Sequence, residues 1–141
     1  MKIDGIIDSD GNINPLLPRG WYNAEVISAG FKESKNPESD YFQKPFLTLT
    51  VKATGENEEG EEISVTANLG DFVPVPFKGI DSGMRRKSLA WFQKLQEACG
   101  VEVSDEFDTD ELLHCEMNVE LKIRLDEKYG DSNAIIDVRP V

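Results

Sequence analysis

Histidine is nearly missing from this chain: among 141 residues there is one, His114. Acid–base and nucleophilic catalysis need titratable side chains that meet in space. The one adjacent pair, His114 and Cys115, falls at a predicted strand start, where neighbours point to opposite faces. No phosphate-cradling Gly-Lys-Ser/Thr loop follows Gly79 or Gly83. The segment Asp8-Ser9-Asp10-Gly11-Asn12 opens like a calcium loop, but its glycine comes two places early and Arg19 stands where the closing Glu belongs. It reads as a plain turn. We therefore expect no enzyme, no metal and no cofactor.

Cysteine is scarce as well. Cys99 and Cys115 are too few for a disulfide framework or a zinc site, and are expected as reduced, buried thiols. No stretch approaches the ~20 apolar residues of a membrane span, the opening MKIDGIIDSD lacks the apolar core of a signal peptide, and no Asn-X-Ser/Thr sequon occurs. A cytoplasmic protein without a membrane partner is the expectation.

Positive charge is also short: 15 Lys and Arg oppose 27 Asp and Glu, a net charge of -12. A generally basic nucleic-acid binder is excluded. The excess is concentrated, with five acids between Glu56 and Glu62 and six between Glu102 and Glu111, neither run holding a base. The remainder is nearly neutral. From Lys78 to Lys94 five bases face the single acid Asp81, so a local cationic patch is compatible with an acidic protein.

Residues 1–19 lack periodicity and read as an extended lead-in; residues 20–141 read as one domain. Alternation from Trp21 to Phe31 predicts a strand, with a bend at Ala29-Gly30. Trp21 and Tyr22 are expected in the core or at a barrel end. The clearest strand sets Leu47, Leu49, Val51 and Ala53 against Phe46, Thr48, Thr50 and Lys52, and Ile63, Val65, Ala67 and Leu69 repeat the pattern after an acidic turn. A helix from about Met84 to Cys99 is expected, capped by Ser82, stopped by Gly100 and buried along Leu89, Phe92, Leu95 and Cys99. Asp108 and Glu111 have capping-box spacing for a short turn. Strands through Met117 to Leu125 and through Ala134, Ile136 and Val138 complete the set. The order predicts an all-β fold with one α-helix: an OB-fold-like five-stranded Greek-key barrel with the helix between strands 3 and 4.

Binding single strands without reading sequence needs flat rings for bases and cations for phosphates. Lys32, Lys35, Tyr41, Phe42, Lys44, Phe46 and Lys52 supply that mixture between residues 32 and 52. Each ring either receives a base or closes an end of the barrel. Arg85, Arg86 and Lys87 open a helix, where cations oppose the dipole; phosphates, Asp81 or the acidic loops would offset that. The candidate nucleic-acid-binding set is thus Lys35, Tyr41, Phe42, Lys44, Phe46, Lys52, Arg85, Arg86 and Lys87. The alternative is an acidic interaction module, a DNA mimic or inhibitor whose carboxylates bind a basic protein.

The run Leu17-Pro18-Arg19-Gly20-Trp21-Tyr22-Asn23-Ala24-Glu25-Val26, followed by Lys32-Glu33-Ser34-Lys35-Asn36, resembles the opening of a family of short phage and prophage single-stranded DNA-binding proteins with the OB-fold. Weaker similarity continues through Leu47-Thr48-Leu49-Thr50-Val51, Leu95 to Val101, Asp110-Glu111-Leu112 and Ser132-Asn133-Ala134-Ile135, over about residues 15 to 141. The resemblance implies coating of single-stranded DNA in phage replication or recombination in the host cytoplasm. It also implies partners such as an annealing protein or a polymerase, and is compatible with a homo-oligomer. This chain departs from the family in its acidic Gly55 to Glu62 loop and its long Pro37 to Pro45 connection.

Overall fold

In the computed structural model, which describes residues 15–141, strand β2 (Pro45–Glu56) turns Leu47, Leu49, Val51 and Ala53 inward to full burial and leaves Thr48, Thr50 and Lys52 facing out. Burying each of the larger aliphatic side chains contributes about 1.5–3 kcal/mol, which locks the register, because a one-residue slip would exchange the two faces. β2 pairs antiparallel with β1 (Gly20–Glu33) and with β3 (Glu62–Leu69), the second pairing forming the expected hairpin. Helix α1 (Ser82–Ala98) and a 3-10 turn (Thr109–Leu112) separate β3 from β4 (Glu116–Arg124) and β5 (Ser132–Arg139). The sheet closes in the order β1-β2-β3-β5-β4, with β4 returning to β1. One short parallel contact, Ala67–Leu69 against Asn133–Ile135, joins β3 to β5. This is an OB-like barrel, as the element order predicts.

Several details differ from expectation, most of them for a tertiary reason. The register of β1 against β2 shifts between Val26 and Ser28, so the bend falls at Ile27 and not at Ala29-Gly30. In the β4–β5 pair the register shifts beside Glu120, which leaves Ile136 as an extra residue. Such a bulge reverses side-chain parity, and β5 buries Ile135 and Val138 while Ile136 is only half-buried.

The helix is capped by Asp81, whose carboxylate accepts from the Met84 N–H at 3.1 Å, in place of Ser82. Its buried residues are Ser88, Trp91, Leu95, Gln96 and Ala98, so the stripe is rotated from the one expected and Leu89 is exposed. Gly100 ends it at φ 71, as the sequence indicates. The 3-10 turn is capped by Asp108, which accepts from the Asp110 N–H.

Cys99 and Cys115 are joined in a disulfide, their Cα atoms 5.6 Å apart, which corrects the expectation of free thiols. The helix end and the start of β4 meet only through the closure of the barrel. Trp21 is half-buried beneath the Arg139 guanidinium, 4.1 Å from the ring centre. The Tyr22 ring occupies the space a Cβ on Gly55 would need, and its hydroxyl donates to the Pro18 carbonyl.

The packed domain begins earlier than Gly20. Leu17 is fully buried in the core; its N–H donates to Asn133 Oδ1 at 2.9 Å and its carbonyl accepts from Asn133 Nδ2 at 2.8 Å. Residues 1–14 of the lead-in, including the Asp8 to Asn12 turn, lie outside the described residues. Asn133→Ala strips both Leu17 groups of their partner in a buried site and is expected to cost about 2–4 kcal/mol. Urea unfolding would read this as a lower midpoint at unchanged slope; an unaltered midpoint would show that Leu17 is held by other means.

Candidate nucleic-acid interface

The outward row of β2 forms the floor of a groove of about 480 Å3. Phe46, Thr48 and Thr50 lie along it, Ser28 and Lys32 of β1 bound one side, and Asn68 of β3, Phe72 and Arg124 bound the other. The polypeptide between β3 and α1 builds that second wall. Leu47 N–H donates to the Val73 carbonyl and Val75 N–H to the Pro45 carbonyl, both at 2.8 Å, so this connection runs alongside the start of β2 and seats Phe72 beside Phe46. At Gly70 a Cβ would come within 3.0 Å of both Ala134 Cβ and Ile135 O. The Gly70 carbonyl accepts from Arg124 Nη2 at 2.9 Å, which draws the arginine to the groove. Thr50 Oγ1 donates to Asn68 Oδ1 at 2.6 Å.

The rings expected to stack on bases interleave with rings from this connection. Phe46 and Phe72 have centroids 5.5 Å apart, Tyr41 meets Phe72 edge-on at 5.0 Å and Phe77 at 5.9 Å, and Lys44 Nζ lies 5.0 Å over the Phe77 ring. Tyr41 is thereby committed to packing at this end of the barrel. Phe46 is half-buried and still lines the groove, whereas Phe42, on the β1–β2 loop, is 38% exposed. Of the two functions left open for each ring, Tyr41 serves closure and Phe46 combines closure with an accessible edge of the groove.

The proposed cations divide among different surroundings. Lys87 Nζ is bound to Asp71 Oδ1 at 2.9 Å, so its charge is already answered within the protein. Asp71 also accepts from Trp91 Nε1 at 3.1 Å and from the Phe72 N–H at 3.0 Å. Arg85 lines a separate groove on the far side of α1, and Arg86 is exposed; neither has an ion-pair partner among the described residues. Lys52 continues the outward row but stands directly opposite Glu25 over another depression, which Glu116 also lines. Lys35 is exposed on the β1–β2 loop. The oddity of three cations opening a helix is met from inside the molecule, by the Asp81 cap and the Asp71–Lys87 pair.

Lys32 and Arg124 are the cations that line the groove. Arg124 was invisible to pattern reading because its place depends on the backbone turn at Gly70, and Phe72 because its irregular segment has no periodicity. The signal for Asn68 was its outward parity on β3, next to Thr50 across the hairpin. The acidic β2–β3 tip is at the other end of β2: from Phe46 to Glu56 the strand runs roughly 30 Å at about 3.3 Å per residue. Elsewhere, Cys115 is held by Cys99 and His114 Nδ1 turns to Glu25 Oε2 at 3.3 Å, which separates the adjacent pair.

No protein-family model and no curated protein matches this chain.

Partial burial works to raise the Asp71 pKa, but the hydrogen bonds from Lys87 and Trp91, the Lys87 charge and the Phe72 N–H outweigh it and hold the carboxyl below its ordinary value. A carboxyl whose folded pKa is depressed stabilises the fold above its unfolded value, about 3.9 for Asp, and that contribution is lost as pH falls through the lower folded value. Asp71→Asn is therefore expected to flatten the acid limb of a stability–pH curve below about pH 4. Thermal melts of the two proteins between pH 2 and 7 would check it; parallel curves would show that the carboxylate is energetically idle.

Proposed function

We propose that this protein binds single-stranded DNA without reading its sequence, in phage replication or recombination within the host cytoplasm, and that it does so in the groove over β2. The observation that carries the reading is the mixture lining that groove: Phe46 and Phe72 for bases, Lys32 and Arg124 for phosphates, and the polar side chains Ser28 and Asn68 between them. The outer face of strands 2 and 3 is where OB-folds take oligonucleotides. Stacking on a ring tolerates any base because each has a π-face, and no helix among the described residues is long and apolar enough to cross a membrane.

Charge placement supports the same reading. On a molecule of net charge -12, a polyanion binds only where local cations outweigh nearby carboxylates. The acidic β2–β3 tip stands far along the strand from the ring-bearing end. Asp71 is the carboxylate lining the groove, and Lys87 offsets it. Lys35, Lys44 and the exposed Phe42 flank the β1–β2 loop end, where a strand leaving the groove would pass. Arg85, on the far side of α1, has no part in this path.

Titration of Trp91 fluorescence with oligo-dT tests the proposal, since the Trp91 indole is bonded to the Asp71 carboxylate at the groove wall. Binding should be saturable and resist duplex competitor. Log affinity should fall with log salt by about 0.7 per phosphate neutralised, and Lys32→Gln should reduce that slope by about 0.7. Phe46→Ala should weaken binding by about 1–3 kcal/mol in protein whose far-UV circular dichroism is unaltered. A response flat in salt, or equal affinity for duplex, would sink the assignment.

A further inference from the structure

On the face of α1 away from the β2 groove is a second groove, of about 450 Å3, between the helix and the segment that follows it. Leu89, Phe92, Val103 and Phe107 give it an apolar lining. Leu89 and Val103 are each 45% exposed, and the ring series Phe92–Phe107–Phe31, with centroids 4.7 and 6.3 Å apart, carries the apolar surface on to Phe31, itself 42% exposed. Exposed apolar surface of this continuity on a highly charged protein marks a contact site.

Two further observations specify the occupant. Gln96 lines this groove at only 3% exposure. Its side-chain amide can both donate to and accept from a peptide backbone lying in the groove. Asp105 also lines the groove, within the run from Glu102 to Glu111 that holds six acids and no base. None of those acids has an ion-pair partner among the described residues. Arg85 lines the groove as well, but the six acids of the run outnumber it, so the rim repels nucleic acid and attracts cations.

We propose that this groove docks a basic segment of a partner protein, with an apolar side chain of that segment between Leu89 and Phe107, its backbone on Gln96, and its Lys or Arg side chains on Asp105 and the neighbouring acids. The site is separate from the β2 groove, so partner and DNA can be held at once. It stands or falls independently of the proposed DNA binding.

The test is an amide NMR titration of the whole protein with a synthetic peptide carrying Leu every fourth residue among Lys, and with its Leu/Glu counterpart. The Leu/Lys peptide should shift residues 85–107 saturably, the Leu/Glu peptide should not, and Leu89→Asp should weaken binding about tenfold or more while oligo-dT affinity stays unchanged. Leu89 is exposed, so the substitution leaves the core intact. Shifts centred on the Glu56–Glu62 tip, equal binding of both peptides, or indifference to Leu89→Asp would overturn the proposal. So would Overhauser contacts in the free protein between residues 1–14 and Phe92, which would make the chain's own amino terminus the occupant, or a dimer in sedimentation that Leu89→Asp dissociates.

Discussion

The Asp71 carboxylate is the interaction on which the arrangement of the site depends. Its two oxygens receive Lys87 Nζ, Trp91 Nε1 and the Phe72 N–H, so one group fastens the helix to the connection that precedes it. The indole bond fixes which face of α1 turns to the barrel, and the amide bond sets Phe72 where it can meet Phe46. With Phe72 in place, the outward row of β2 gains a wall and becomes a groove. The same carboxylate takes Lys87 out of the set of cations open to a ligand, and leaves Lys32 and Arg124 as the groove's positive charges.

Charge segregation is the second organising feature. A chain with this excess of acid has to hold its carboxylates away from any surface meant for a polyanion, and a long strand with different chemistry at its two ends does so by distance alone. One end of β2 carries the aromatic cluster and the other the acidic tip. The second acidic run is used differently. It borders an apolar groove on the opposite side of the helix, where negative charge selects a different class of partner. Two surfaces with opposite preferences are thus kept apart by the barrel and the helix packed against it.

Much of this was legible in the sequence wherever the cause is local. The alternation in β2 and β3 and the Gly100 stop each rest on contacts or backbone preferences within a few residues, and the structure has them as expected. Where one residue too many enters a strand pair, as at Ile27 and Ile136, parity reading fails, because a bulge is set by the partner strand. The helix face was misread for a related reason. Leu89 and Phe92 have the spacing of a buried stripe, but Trp91 has a polar anchor on Asp71 that outranks them, and its position follows from a contact 20 residues away in the chain.

The sequence by itself determined the order of elements, the inward and outward faces of β2, and the separation of the Glu56–Glu62 acids from the rings at Tyr41, Phe42 and Phe46, since these depend on side-chain period and on covalent spacing. Only the tertiary structure decided that Arg124 and Phe72 line the β2 groove while Arg85 does not, that Cys99 meets Cys115, and that Leu17 belongs to the core. Each of those requires segments far apart in the chain to meet when the barrel closes, and closure is a property of all five strands together.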